Sequence, residues 1–287
     1  MSSWRIGAVS ITRIIEKIDT FPPGLMLPGV TNESVLAHDW LRPDYVTEDG
    51  RINLAIQALV VEAPGRLIVV DTCVGNEREG RGNPGWNNLQ TRFLQDFAAA
   101  GFDRLKVDTV FCTHLHADHV GWNTMKVGDA WVPTFPNARY LMNRKEFEHW
   151  AAMREDPRLS PVFTDSIAPI EAAGLFDLID LDHDLTPELT LISTPGHTPG
   201  HASVRIRSRG EEGMISGDFI HHPCQMATPE GPQGADSDRA LAAQTRRATL
   251  EALAGTKTLL VGTHFPPPTA GYVERENHAF RFRSQDR

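Results

Sequence analysis

Short apolar runs, many of them alternating with polar residues and bounded by Gly, Pro, Asn or Asp, recur along this chain in the pattern of β-strands. The pattern predicts strands over residues 5–15, 53–62, 66–71, 109–113, 139–142, 189–193, 202–207, 214–216 and 258–261. Helical candidates fall between them at 89–100, 144–153, 166–173 and 239–254, the last carrying apolar residues at helical spacing. Gly101 and Gly255 serve as stop signals for two of these. Two hairpin-like groups of strands, each followed by strand and helix, imply sheets packed on each other with helices outside. The residues themselves carry no strong internal repeat. Segment 21–30, FPPGLMLPGV, is too rich in Pro and Gly for a regular element and too apolar for an ordinary solvent loop. It reads either as a packed surface loop or as part of a pocket wall or lid. Pro266, Pro267 and Pro268 end any regular structure after His264.

A length of 287 residues fits one domain, 1–287, with an ample core. With 40% hydrophobic and 23% charged residues, the chain reads as a folded globular protein rather than a disordered or fibrous one. The net charge of −9, with basic residues only dispersed around Arg205 to Arg209, supplies no phosphate-binding footprint, so nucleic acid is not an expected partner. Cys73, Cys112 and Cys224 are odd in number and form no CxxC pair, which argues against a disulfide framework or a structural zinc and for a reducing compartment. The N-terminal alternation reads as a strand rather than a signal segment, and no run approaches the roughly 18 apolar residues of a membrane helix. The expected location is the cytoplasm, with no membrane partner.

The chemistry concentrates after one apolar strand. Val110 to Cys112 runs into Thr113, His114, Leu115, His116, Ala117, Asp118 and His119, placing four candidate ligands within six residues. On extended backbone His114 and His116 point the same way, while Asp118 and His119 lie past the turn and aim elsewhere, so one short segment can serve two metals. Neutral imidazoles suit zinc and similar divalent ions, and a carboxylate adds compensating charge. His197 in TPGH, Asp218 in SGD and His264 in GTH each follow an apolar strand-like run as well.

The run His114, His116, Asp118, His119 matches in full the HxHxDH signature of the metallo-β-lactamase superfamily, which the chain resembles in motif order over nearly its whole length. The resemblance implies an α+β fold, an αββα sandwich of two mixed sheets packed face to face with helices outside. It implies one metal on His114, His116 and His197, a second on Asp118, His119 and His264, and Asp218 bridging both. Two divalent ions per chain are expected, zinc first, with manganese, iron and cobalt as alternatives. Asp71, at the end of an apolar strand, is expected to orient a ligand, with a plain turn or cap residue as its other reading. Trp122 stands where a second glycine is common in the family and is expected to bulk out the loop beside the metals. Where a quorum-quenching lactonase carries a tyrosine three residues after the bridging Asp, this chain has His221, followed by His222. His221 reads equally as a hydrogen-bond partner of substrate and as a buried supporting residue, and His201 as a supporting residue rather than a ligand.

Two such ions implement hydrolysis through a metal-bridging hydroxide, with Asp118 assisting proton transfer. No GxSxG elbow is present to support a serine mechanism. His116, where an oxygen-reducing di-iron relative carries Glu, favours hydrolysis over redox chemistry. The leading expectation is a hydrolase of a lactone or carboxylic ester, a small-molecule substrate. The alternatives are an organophosphate triester or other xenobiotic, β-lactamase-like activity, and, from another class, a non-catalytic metal-binding sensor or effector. The oligomeric state stays open, a homodimer included.

Overall fold

A computed structural model describes residues 2–285. Two seven-stranded sheets are each laid down in chain order. The first contains β1 (Ser3–Ile6), β2 (Val9–Phe21), β3 (Ile52–Ala63), β4 (Arg66–Val70), β5 (Thr109–Phe111), β6 (Arg139–Asn143) and β7 (Phe176–Ile179). The second contains β8 (Asp184–Thr186), β9 (Leu189–Ser193), β10 (Ala202–Ser208), β11 (Glu211–Ile215), β12 (Leu259–Val261), β13 (Ala270–Glu276) and β14 (Ala279–Ser284). Both are mixed: β1 to β4 are antiparallel and β4 to β7 parallel, while β11 and β12 form the one parallel pair of the second sheet.

The layering follows from which side of each strand is apolar. Leu59, Val61, Ile68, Val70 and Phe111 of the first sheet meet Leu189, Leu191, Val204, Ile215 and Val261 of the second in one inter-sheet core. Their neighbours point outward: Val60, Val69 and Val110 pack with Phe93, Phe97 and Ile170 from the helices Phe93–Ala99 and Ala168–Ala172. On the far side Met214 and Leu260 pack with Leu250 and Leu253 of the helix Arg239–Leu253. The order is therefore helix, sheet, sheet, helix. Both faces of the central strands are buried, so a one-residue slip would exchange the two cores, and burial of each such side chain is worth about 2 kcal/mol.

Several expectations change. The strand at 5–15 is a hairpin: Gly7, at φ +59°, turns the chain between β1 and β2, and a Cβ there would lie 2.3 Å from the Ser208 carbonyl oxygen. The helix expected at 89–100 begins at Phe93, and the one at 166–173 is a wide π-type turn, Phe163–Ile167, continued by Ala168–Ala172. Strands β7, β8, β13 and β14, the small hairpin Thr124–Val127 with Ala130–Pro133, and the helix Asn32–Leu36 were not predicted. Most are too short to show a period; β14 alternates clearly and with β13 closes the edge of the second sheet. In segment 21–30, one turn at Pro23–Leu25 leaves Leu25 exposed while Leu27 is buried, so the segment is both packed and open to the site described next. Among the described residues no helix is long and apolar enough to cross a membrane. All three cysteines are buried and unpaired.

Candidate metal centre and substrate cavity

Parallel neighbours end on the same edge of a sheet, and the parallel pairs β4 with β5 and β11 with β12 both end where the two sheets open. Asp71 follows β4, His114 to His119 follow β5, His197 follows β9, Asp218 follows β11 and His264 follows β12. The structure brings these residues together in two groups. His114, His116, His197 and Asp218 each present a donor atom within 4.8 Å of the others, and so do Asp118, His119 and His264. Asp218 faces both: its Oδ2 lies 3.6 Å from His114 Nε2, 3.4 Å from His197 Nε2 and 3.3 Å from His119 Nε2, while Oδ1 lies 3.3 Å from His264 Nε2.

The outer nitrogens of His114, His119, His197 and His264 each face a protein oxygen. His119 Nδ1 lies 3.0 Å from Asp71 Oδ2, His197 Nδ1 3.0 Å from Asp236 Oδ1, His264 Nδ1 2.7 Å from the Ala55 carbonyl oxygen and His114 Nδ1 3.1 Å from Thr113 Oγ1. At His114, His197 and His264 the hydrogen bonds set tautomers that leave the inner nitrogens as lone pairs, whereas His119 Nδ1 lies beside Asp71 without a hydrogen bond among the described residues. Those inner nitrogens crowd together: His116 Nδ1 lies 2.9 Å from His114 Nε2 and 3.0 Å from His197 Nε2, and His264 Nε2 lies 3.1 Å from His119 Nε2. Bare lone pairs repel at that range, whereas a shared cation satisfies them. Asp218 Oδ1, buried and without a hydrogen-bond partner among the described residues, adds an uncommitted anionic donor. The set of imidazole and carboxylate donors therefore fits borderline divalent ions.

Electrostatics divides the groups. Burial pushes His114 and His197 well down and His116 to about 3, with neighbouring imidazoles adding to it. Burial acts the same way on His119 and His264 and is the largest single effect, but nearby carboxylates together outweigh it, Asp218, Asp71 and Asp118 at His119 and Asp218 with Asp118 at His264, and both end raised. Burial opposes the charge on Asp218, yet His264 and His119 hold its carboxyl well below the ordinary range.

Supporting groups surround these donors. Asp71, at φ +58°, accepts from the Thr113 backbone N–H at 2.8 Å and lies 3.0 Å from His119 Nδ1, so it is more than a turn residue. His201 Nε2 accepts from the Asp218 N–H at 2.6 Å and its Nδ1 faces the Thr194 carbonyl oxygen at 2.9 Å, which places it behind Asp218 rather than among the donors. His221 Nε2 lies 3.0 Å from Asp218 Oδ2 and 3.3 Å from Gln233 Nε2, whereas His222 is buried between the Tyr45 carbonyl and the Cys224 N–H. Asp236 pairs with the buried Arg246 at 3.3 Å. Glu146 accepts from the Leu115 N–H at 3.1 Å, the Gly200 N–H at 2.9 Å and Trp150 Nε1 at 2.6 Å. Gln233, Asp236, Arg246 and Glu146 were missed by the sequence reading, because no local pattern marks them.

Above the donors opens a cavity of about 1030 Å³, reached by His116, Asp118, His197, Asp218, His221 and His264. Its walls are largely apolar, with Phe21, Leu25, Met26, Trp86, Trp150 and Phe163 among them. Segment 21–30 thus contributes wall. Trp122 does not: it is buried, stacked on Phe93 at 5.2 Å between ring centroids, and donates to Glu16 Oε1 at 2.6 Å. The indole beside the donors is that of Trp150, 5.3 Å from the His116 ring.

The family described as the metallo-beta-lactamase superfamily matches residues 52–264. The N-acyl homoserine lactonase AttM of Rhizobium radiobacter is 35% identical over 126 residues, 40% of this chain and 41% of its own length. An N-acyl homoserine lactonase of Bacillus cereus is 25% identical over 182 residues, 59% of this chain and 65% of its own. The chain thus matches less than two thirds of the length of these relatives. Among solved structures, the hydrolase AbOPH of the beta lactamase superfamily superposes with a TM-score of 0.79 at 26% identity, over 98% of this chain and 95% of that one. AidC, a dizinc quorum-quenching lactonase in complex with a product, N-hexnoyl-L-homoserine, superposes with a TM-score of 0.80 at 22% identity, over 99% and 97%, a likeness of fold.

Proposed function

The chain belongs to the metallo-beta-lactamase superfamily, and from that premise we propose that it is a dinuclear metal-dependent hydrolase of a lactone or a carboxylic ester. The observation that carries this reading is the convergence of seven buried or half-buried donors, five of which reach the floor of one large, mostly apolar cavity. His114, His116 and His197 would hold one ion, Asp118, His119 and His264 the other, and Asp218 would reach both. When bound, such ions activate a water and polarise the carbonyl oxygen of the substrate.

The chain's own residues supply the rest. Asp236, Thr113 and the Ala55 carbonyl hold His197, His114 and His264 in the tautomers that keep their inner nitrogens free of protons, and the Asp71 carboxylate faces His119 Nδ1 at 3.0 Å. Asp118 and Asp218 are both donor carboxylates that line the cavity, and Asp118 is the more exposed, its side chain 12% against 3%, so its oxygens are the better placed to accept the proton of the attacking water and return it to the leaving alkoxide. His221 Nε2 lies 3.0 Å from Asp218 Oδ2, within reach to donate to that carboxylate, with Gln233 beside it at 3.3 Å. Because the same residue lines the cavity next to Asp218, we assign its ring to orienting substrate there. The apolar walls exclude water and suit a neutral substrate with an acyl or aromatic part.

The test is a metal-reconstituted panel of lactones, aryl esters, thioesters, phosphotriesters and β-lactams, run beside Asp118→Asn. Lactones or carboxylic esters are expected to be turned over fastest, and Asp118→Asn to lose most of that turnover while keeping the fold. Faster turnover of phosphotriesters or β-lactams than of every ester and lactone would overturn the substrate class.

A further inference from the structure

We propose that Glu146 is a positioning residue that locks the first donor group and the cavity wall into one unit. Its carboxylate is 1% exposed, does not line the cavity and is none of the candidate metal donors. It receives three N–H donors from three functional pieces. Oε1 takes the backbone N–H of Leu115, the residue between His114 and His116, at 3.1 Å. The same oxygen takes Trp150 Nε1 at 2.6 Å, one helical turn further along the helix Arg144–Ala151. Oε2 takes the backbone N–H of Gly200, in the turn that carries His197 and His201, at 2.9 Å.

The grip on that turn is double. Asn143, the N-cap of the same helix, donates Nδ2 to the Gly200 carbonyl oxygen at 2.5 Å while its Oδ1 accepts from the Lys145 N–H at 3.1 Å. A Cβ on Gly200 would lie 2.3 Å from the Glu146 backbone nitrogen, so the turn is seated directly on the helix. His201 carries the constraint onward to the Asp218 N–H. Hydrogen bonds to an ionised carboxylate are stronger and more directional than neutral ones. One side chain therefore fixes the spacing between the His114–His116 loop and the His197 turn and holds the indole that flanks His116. A carboxylate that merely closed the first turn of its own helix would have no reason to bridge two other loops.

The inference rests on the reading that His114, His116 and His197 hold an ion, and its test separates the two. Cobalt(II) affinity is measured by chelator competition at the first group alone, in a His264→Ala background, and at the second group alone, in a His197→Ala background. Glu146→Gln, which turns amide hydrogens toward at least one N–H donor, is expected to weaken the first group by about 10-fold to 100-fold and the second by no more than about twofold. Glu146→Asp keeps the charge but is too short to reach both loops, and is expected to fall between; it serves if the Gln variant does not fold. Trp150→Phe, which removes one donor and leaves both loops tied, is expected to raise KM for aryl or long-acyl substrates with cobalt affinity unchanged. Equal weakening of both groups, or none in either variant, overturns the role of Glu146. Absence of cobalt binding at the first group with Glu146 intact overturns the underlying metal reading instead.

Discussion

Asp236 Oδ1 lies 3.0 Å from His197 Nδ1 while its Oδ2 lies 3.3 Å from Arg246, a pair whose side chains are wholly buried. Arg246 also donates to the carbonyl oxygens of Phe219, Pro229 and Gly231, so it sits behind Asp218 and His197 together. Asp236→Ala strips His197 of its orienting acceptor and leaves a buried guanidinium without its carboxylate. Denaturant unfolding should register a loss of about 3–5 kcal/mol. Equilibrium dialysis should show zinc affinity at the first group down by about 10-fold to 100-fold.

Because Asp218 faces both donor groups, its loss should differ in kind from the loss of a donor in one. Elemental analysis of the dialysed protein is expected to return about two divalent ions per chain, since seven donors exceed the four of one tetrahedral zinc. Asp218→Ala should deplete both ions and His264→Ala chiefly one. Equal depletion in the two variants would contradict the bridging assignment.

Glu16 gives a pH dependence that does not involve the donor groups. Burial raises its carboxyl above the ordinary value of 4.5, opposed by N–H groups of Val74, Trp122 and Gly75. The folded chain then holds this proton more tightly than the unfolded one, so the stability it contributes is complete below 4.5 and is lost as pH rises through the folded value. Glu16→Gln should flatten the decline of unfolding free energy above pH 4.5, measured by urea titration at a series of pH values. An unchanged slope would remove Glu16 as its source.

Gly121 separates a steric requirement from a conformational one. A Cβ there would lie 1.8 Å from the Val74 carbonyl oxygen, in the loop that carries His119, whereas Gly128, at φ +60°, has nothing within 4 Å. Gly121→Ala is expected to cost about 3 kcal/mol or more by displacing backbone, and Gly128→Ala about 1 kcal/mol from the left-handed conformation alone. Paired thermal melts check the order, and a reversed order would mean that the loop yields without cost.

The run from His114 to His119 was legible because its donors sit within one turn of a strand end, and local alternation dictates where such side chains point. His197, Asp218 and His264 were legible for the same reason, each in a Gly-containing turn after an apolar strand. The strands with two buried faces were read nearly to their ends, since a continuous run of Val, Ile and Leu admits few other uses. The five-residue helix Asn32–Leu36 and the short edge strand β8 have too little periodicity to be read. The choice between Trp122 and Trp150 as the indole beside the donors was likewise not local: one stacks on Phe93 in the outer core, the other is held by Glu146 over His116.

What the sequence by itself determined is the kind of atom delivered to each strand end, and with it the metal chemistry open to the chain. What only the tertiary structure decided is which lone pair each imidazole keeps and which walls enclose the reaction. Those depend on partners far apart in the chain, Asp236 with His197 across 39 positions, Glu146 with Gly200 across 54 and His264 with the Ala55 carbonyl across 209. A hydrogen bond between such residues leaves no periodicity in sequence, because it is the packing of two sheets and their helices that brings donor and acceptor within 3 Å.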